Sequence, residues 1–297
     1  MLHIVTVATE EKYYFPFLKY SCKKNGISLT VLGMGEKWLG FNWRYQKMLE
    51  FLKTIDQNDL VCFVDGYDVI CSRNLSELPT EFERIQKRTG CKIVVGEDNI
   101  VNTLNKFFSY FNFGKCNGKS LNAGTYIGYS KDIRDIIEKI YALNPRNDAD
   151  DQVLMTMFCS KNPAEFYIDE KGEIFLCIVD TLNDIDTHVI SNIQKNSNNK
   201  VPFFIHANGY GFLDNTINRL GYDANHELES LDIPTQYKKD ILYNKIFMYF
   251  WIFSRDWFFI IVFFLIVFLI LLFLYIFPGF FQNRFISNFK KLLKANQ

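Results

Sequence analysis

The stretch Asp59-Leu-Val-Cys-Phe-Val-Asp-Gly-Tyr-Asp-Val-Ile70 limits the possible folds of this chain more than any other. Leu60 to Val64 is a short, unbroken apolar run that follows polar residues, the pattern of a strand buried on both faces of a sheet. Asp65 and Asp68 stand at its far end, and Gly66 between them lets the chain turn sharply. In open α/β sheets, ligands collect beyond the carboxyl ends of the strands, so both acids face the usual binding cleft. Held that close, two carboxylates raise each other's pKa unless a cation lies between them, and hard oxygen ligands suit Mg²⁺ or Mn²⁺. The same four residues also make an ordinary polar turn, and the rest of the chain has to decide between the two.

At 297 residues, the chain has room for one large domain or two small ones, and 48% apolar content rules out general disorder. Its 33 basic residues balance 33 acidic ones, and no basic aromatic patch is present, which argues against a nucleic-acid partner. The seven cysteines are scattered, odd in number and never spaced Cys-x-x-Cys. That spacing speaks against zinc and against a dense disulfide framework, so reduced, buried thiols are expected.

Leu2 to Ala8 reads as the first core strand and leaves no space for a cleavable signal peptide. A helix over Glu10 to Lys24 and a strand over Ser28 to Leu32 complete a β-α-β opening. Gly33-Met-Gly35 lacks the dinucleotide-binding spacing. Arg44 to Ile55 is predicted helical with Met48, Leu49, Leu52 and Ile55 on one face, and Lys47 in its first turn, near where a helix start can hold phosphate. A helix over Leu78 to Arg88 and a strand over Lys92 to Val95 follow, the strand ending in Gly96-Glu-Asp98. Asn99 to Ser120 reads as an irregular excursion over the cleft.

Leu121 to Tyr129 reads as a strand in which Gly124 permits close backbone contact with a ligand. Ser130 is expected to cap a helix with an Ile133, Ile136, Ile137, Ile140 core stripe. Asn147-Asp-Ala-Asp-Asp-Gln152 places Asp150 and Asp151 at the amino end of a helix over Val153 to Phe158, where acids are favoured by the helix dipole in any case. Two short strands, Glu165 to Ile168 and Glu173 to Ile178, precede an Asn-rich exposed loop reaching Lys200. Val201 to Gly209 then repeats the first theme: a late buried strand ends in His206, Asn208 and Gly209. His206 could complete a metal site with Asp65 and Asp68, and two oxygens with one nitrogen favour Mn²⁺ over Ca²⁺.

Trp257 to Phe277 carries no charge and matches the roughly 20 residues a helix needs to span a bilayer. The expected organisation is therefore an α/β domain over 1–225, a juxtamembrane linker over 226–256, one transmembrane helix over 257–277 and a basic tail over 278–297. Basic residues flank both sides of the span and leave its orientation open. A single late span resembles a tail anchor in a single-pass membrane protein, which would leave the folded domain in the cytosol rather than in a lumen.

Residues 2 to about 220 resemble the amino-terminal glycosyltransferase domain of procollagen lysyl hydroxylases and, more distantly, the collagen galactosyltransferases. The resemblance is carried, in order, by Ile4-Val-Thr-Val-Ala-Thr9, Gly33-Met-Gly-Glu-Lys-Trp38, Gln46-Lys47, Phe63-Val-Asp-Gly-Tyr-Asp-Val-Ile70, Leu121-Asn-Ala-Gly124, Asp150-Asp-Gln152 and His206-Ala-Asn-Gly209. It implies a GT-A-like, Rossmann-type nucleotide-sugar-binding domain with a mostly parallel sheet, binding a UDP-sugar through Mn²⁺ held by Asp65, Asp68 and His206. Tyr67 would stack on uracil, Val7 and Thr9 would line the uridine pocket, and Trp38, Lys47, Asn208 and Gly209 would lie near the diphosphate and sugar. Asp150 and Asp151 match the acidic cluster at the sugar and acceptor. The implied reaction moves glucose from UDP-glucose to galactosyl-hydroxylysine of collagen-like protein with retention. Two departures touch the sugar and acceptor region: Glu97-Asp-Asn-Ile-Val101 lacks the family's Trp, and Tyr210-Gly-Phe212 replaces its Pro-Thr-Lys. Another UDP-sugar, a non-collagen glycan acceptor, or a catalytically silent UDP-binding module are the alternatives. The hydroxylase domain of that family is not in this sequence.

Overall fold

The computed structural model describes residues 1–98, 109–110, 112–177, 201–208, 213, 216–217, 220 and 257–276. The chain divides into two compact units, Met1–Pro234 and Thr235–Gln297. The expected linker 226–256 and tail 278–297 lie outside the described residues.

The first unit is built on a six-stranded sheet in the order β2-β1-β3-β6-β5-β7. The strands are β1 (Leu2–Val7), β2 (Leu29–Leu32), β3 (Leu60–Val64), β5 (Ile93–Glu97), β6 (Leu121–Tyr129) and β7 (Phe166–Asp169). Every neighbouring pair is parallel except the two made by β6, which runs against both β3 and β5. The sheet is thus mostly parallel, and the reversed strand starts at the edge where β3 and β5 end. A second sheet, β4-β9-β8, is made of Val69–Cys71, Phe204–His206 and Phe175–Cys177.

The apolar run of β3 is buried along its whole length because it serves two cores. Val61 and Phe63 pack on one side with Met48 and Leu52 of α2 (Trp43–Leu52) and the Ile133, Ile136, Ile137, Ile140 stripe of α4 (Ser130–Leu143). Leu60, Cys62 and Val64 pack on the other with Leu18 and Cys22 of α1 (Phe15–Lys24) and Phe82 and Ile85 of α3 (Leu78–Thr89). Gly90 ends α3 in the left-handed conformation at its carboxyl cap.

Some expected boundaries move, each for a local reason. Helix α1 starts at Phe15 rather than Glu10, because Pro16 fits only the first turn of a helix. Ser130 is the first residue of α4 and its side chain caps nothing; the cap position is Tyr129. The helix expected from Val153 is α5, Asp151–Lys161, and Asp150 is its cap, with the Val153 amide donating to Asp150 Oδ1 at 3.0 Å. Gly66 has no left-handed backbone. Its side of the turn lies against β1, where a Cβ would sit 3.1 Å from Thr6 Oγ1 and 3.3 Å from the Val7 carbonyl, so close packing is what asks for glycine there.

The expectation of fully reduced cysteines is corrected. Cys116, in the segment before β6, is disulfide-bonded to Cys159 near the end of α5. The other five, Cys22, Cys62, Cys71, Cys91 and Cys177, are buried and not disulfide-bonded. In the second unit, Trp257–Ile276 forms α6, a helix of 20 residues without a charged side chain. Within the part of it whose side chains are described, 261–276, no stretch is long and apolar enough to cross a membrane, so the structure does not establish the expected span over Trp257 to Phe277.

Candidate active site

The end of β3 delivers Asp65 and Asp68 to the edge of the sheet, and the second sheet delivers the histidine. Val69 of β4 pairs with His206 of β9, and the Ala207 amide donates to the Asp68 carbonyl at 2.8 Å. His206 Nε2 therefore lies 3.2 Å from Asp68 Oδ1 and 3.7 Å from Asp65 Oδ2. One ligand atom from each of the three residues falls within 4.8 Å of the others, close enough to share one ion.

Three features of this cluster fit a divalent cation. His206 Nε2 is buried, and although Asp68 is near, it has no aligned hydrogen-bond partner. Burial raises the Asp65 carboxyl, with Arg44 and His206 only partly offsetting it, and Asp68 adds repulsion. Burial lowers the His206 imidazole, but Asp68 and Cys177 together more than offset it, so it ends well above its usual value. A bound cation would relieve both strains, holding the acids ionised and the imidazole neutral. The third feature is Gly124 of β6, whose carbonyl accepts from the Asp65 amide at 2.8 Å. A Cβ there would lie 2.2 Å from Asp65 Oδ2 and 2.7 Å from His206 Cε1. Gly124→Ala is expected to abolish any divalent-cation binding at this cluster while leaving the far-ultraviolet circular dichroism unchanged; calorimetric titration with Mn²⁺ as the probe checks this, and an affinity undiminished from the wild type would contradict the geometry.

A residue the sequence reading did not single out ties this cluster to Asp151. Arg44, in the first turn of α2, is buried. Its Nε donates to Asp151 Oδ2 at 3.0 Å, its Nη2 donates to the same oxygen, and its Nη1 donates to Asp65 Oδ1. Burial works against the guanidinium, but the two carboxylates more than compensate, so it stays firmly charged. With Oδ1 of Asp65 taken by Arg44, its Oδ2 is the oxygen that faces His206, an outer contact that orients a ligand. Burial pushes Asp151 up to about 6 despite Arg44. Asp150, by contrast, is engaged as the helix cap.

The residues expected around the uridine come together. The Tyr67 hydroxyl accepts from the Thr9 amide at 3.0 Å, and Val7 ends β1 beside the Gly66 turn. The Tyr67 ring meets Tyr13 edge-on, with ring centroids 6.0 Å apart. Lys47 lies in the second turn of α2 rather than the first, and its ammonium is paired with Glu36 at 2.7 Å and Glu50 at 3.4 Å. Trp38 is partly exposed and packs edge-on against Trp43 and Phe41. Asn208 donates to Asp98, the acid that follows β5. Asp98 is buried, and burial pushes it up to about 6 against the pull of its amide partners. Gly209 lies outside the described residues.

A mostly parallel α/β sheet whose β3 ends at Asp65 and Asp68, with His206 brought beside them by the second sheet, has the form of a GT-A-like glycosyltransferase domain. The chain belongs to the PLOD GT domain family, whose model matches residues 1–230. Among its relatives are the multifunctional procollagen lysine hydroxylase and glycosyltransferase of Caenorhabditis elegans, 24% identical over 229 residues, which are 70% of this chain and 30% of that one. The human procollagen-lysine,2-oxoglutarate 5-dioxygenase 2 is 26% identical over 62% of this chain and 26% of its own. An uncharacterised protein of Acanthamoeba polyphaga mimivirus is 24% identical over 65% of this chain and 42% of its own. The match therefore spans less than half the length of each of these relatives. A solved glycosyltransferase involved in glycosylation of the major capsid of PBCV-1 aligns over 74% of this chain and 98% of its own, at 10% identity and a TM-score of 0.47.

Proposed function

We propose that this glycosyltransferase moves a hexose from a UDP-sugar with the help of Mn²⁺, and that the transfer is of glucose from UDP-glucose to galactosyl-hydroxylysine in collagen-like protein, with retention. The observation that carries this reading is the convergence of Asp65, Asp68 and His206 on one ion-sized space in a chain of the PLOD GT domain family. When bound, the metal would stabilise charge on the departing diphosphate. In the transfer, the bond from the sugar's anomeric carbon to the diphosphate oxygen breaks, a bond to the acceptor hydroxyl oxygen forms, and the hydroxyl proton is released. Tyr67, Thr9 and Val7 would hold the uridine; Lys47, Trp38, Asn208 and Gly209 would face the diphosphate and sugar. Asp151, oriented by Arg44, would position or polarise at the reacting end. Asp150 is left with the helix cap as its main task.

The test is UDP release by the full chain with UDP-glucose, Mn²⁺ and a galactosyl-hydroxylysine peptide. Peptide-dependent turnover supports the reading. Turnover with other UDP-sugars or glycans in a product screen would replace the donor or acceptor, and UDP binding without turnover across that screen would make the chain a binding module. Because Asp151 is neutral below about pH 6 and ionised above it, turnover is expected to fall as pH drops through about 6. A pH–rate profile flat down to pH 5 would remove Asp151 from the chemistry.

The charge-free sequence from Trp257 supports a membrane anchor as well: a 20-residue helix rises roughly 30 Å, about the thickness of a bilayer's hydrocarbon core. The tail-anchor arrangement puts the domain in the cytosol, whereas the Cys116–Cys159 bond favours an oxidising compartment. Asn74-Leu-Ser76 decides between them, because Asn74 is exposed and only a lumenal domain would carry an endoglycosidase-sensitive glycan there. We expect that glycan when the full chain is expressed in animal cells, with Asn74→Gln as control. Its absence would return the domain to the cytosol.

A further inference from the structure

Asp98 is met by three primary amides from three separate parts of the chain. Asn122 Nδ2 donates to Asp98 Oδ1 at 2.8 Å, Asn208 Nδ2 to the same oxygen at 2.7 Å, and Gln152 Nε2 to Oδ2 at 3.1 Å. Asn122 belongs to the start of β6, Gln152 follows Asp151 in the first turn of α5, and Asn208 lies two residues beyond His206. One buried carboxylate thus gathers the segments that carry the metal cluster and the reacting acid.

A carboxylate only accepts hydrogen bonds, so each amide must turn its NH₂ end toward Asp98. The two ends of an amide have nearly the same shape, and without such a partner either could point either way. Asp98 therefore fixes the opposite end of each as a carbonyl acceptor. Asn122 Oδ1 is used at once, accepting from the Gly124 amide at 2.9 Å and bracing the glycine that borders Asp65 and His206. Asn208 Oδ1 is buried and has no hydrogen-bond partner among the described residues. A buried acceptor left in that condition is costly, and its natural complement is a hydroxyl donor. His206 Nε2, two residues away, is another buried polar atom without an aligned hydrogen-bond partner, and a bound cation would account for that one.

We propose that Asp98 is a positioning residue for sugar recognition: by fixing the orientation of the Asn208 and Gln152 amides, it presents carbonyl acceptors to the hydroxyls of the hexose on the nucleotide. This rests on the UDP-sugar reading above. Asp98 itself touches neither metal nor sugar. Asp98→Asn keeps the shape but brings in a group that both donates and accepts, so the amides lose their fixed direction. Asn208→Ala removes the unpartnered acceptor and leaves Asp98 two amides.

The test is calorimetric binding of UDP and of UDP-glucose, each with Mn²⁺, to the full chain and to both variants. Both variants are expected to weaken UDP-glucose binding about tenfold or more beyond whatever they do to UDP binding, the size of one hydroxyl hydrogen bond lost to a buried acceptor. A merely structural tie would shift both ligands together. Equal changes for UDP and UDP-glucose, no change included, overturn the inference and leave the UDP reading standing. Should Asp98→Asn not fold, Asn208→Ala alone decides by the same comparison. A wild-type chain that binds neither ligand with Mn²⁺ fails the UDP-sugar reading and takes the inference with it.

Discussion

Asp68→Ala is expected to abolish the proposed Mn²⁺-dependent UDP release and, with it, the stabilisation of the fold that added Mn²⁺ should give. Asp68 Oδ1 is the oxygen nearest His206 Nε2, and its loss leaves two ligands where three converge. Outer contacts to metal ligands alone are worth about 10- to 100-fold in affinity or activity, so removing a ligand should cost at least about 100-fold. Thermal unfolding provides a second readout that does not depend on knowing the acceptor. A ligand present at 100 times its Kd stabilises the folded state by about 2.7 kcal/mol, and that increment should appear for the wild type and vanish for the variant. If Asp68→Ala kept the Mn²⁺-induced rise in melting temperature, the ligand assignment would be wrong.

Arg44→Met should destabilise the chain by about 3–5 kcal/mol, the usual cost of leaving buried charges without their partner. The loss arises at two places, because the same guanidinium holds both Asp151 and Asp65. Arg44→Lys keeps the charge but cannot fork to two carboxylates, so an intermediate loss is expected. Adding Asp151→Asn to Arg44→Met should recover part of the stability, since one stranded charge is removed and neighbouring sites are not additive. Urea unfolding measures all four proteins. A loss within about 0.5 kcal/mol for Arg44→Met would show that this cluster does not hold the fold together.

The strand under the site was readable because both of its faces are buried, which leaves no polar position in Leu60 to Val64 to confuse the period. Asp65, Asp68 and His206 were readable because each follows such a run. Arg44 carries only a weak local signal in the sequence. It lies four residues before Met48, on the same helix face as the apolar stripe, and a charge on a buried face must be paired. The partner it needs is 107 residues away, which no local pattern contains. Asp98 stood out as a strand-end acid, but its amides come from 24, 54 and 110 residues along the chain. The disulfide was hidden in the same way, its two cysteines being 43 residues apart and brought together only by the packing of α5.

The late position of β9 has a consequence for how the protein is made. All six strands of the main sheet are encoded by Asp169, so that sheet can be complete before His206, the third member of the candidate metal cluster, has been synthesised. Phe204–His206 must then insert between β4 and β8, a pairing of strands far apart in the sequence and therefore slow. A nascent chain halted after Cys177 holds both aspartates, Arg44 and Asp151, yet has only two of the three ligands. A cation bound by all three would thus be captured by the finished chain instead of nucleating it, and the site would be complete only once its last strand is in place.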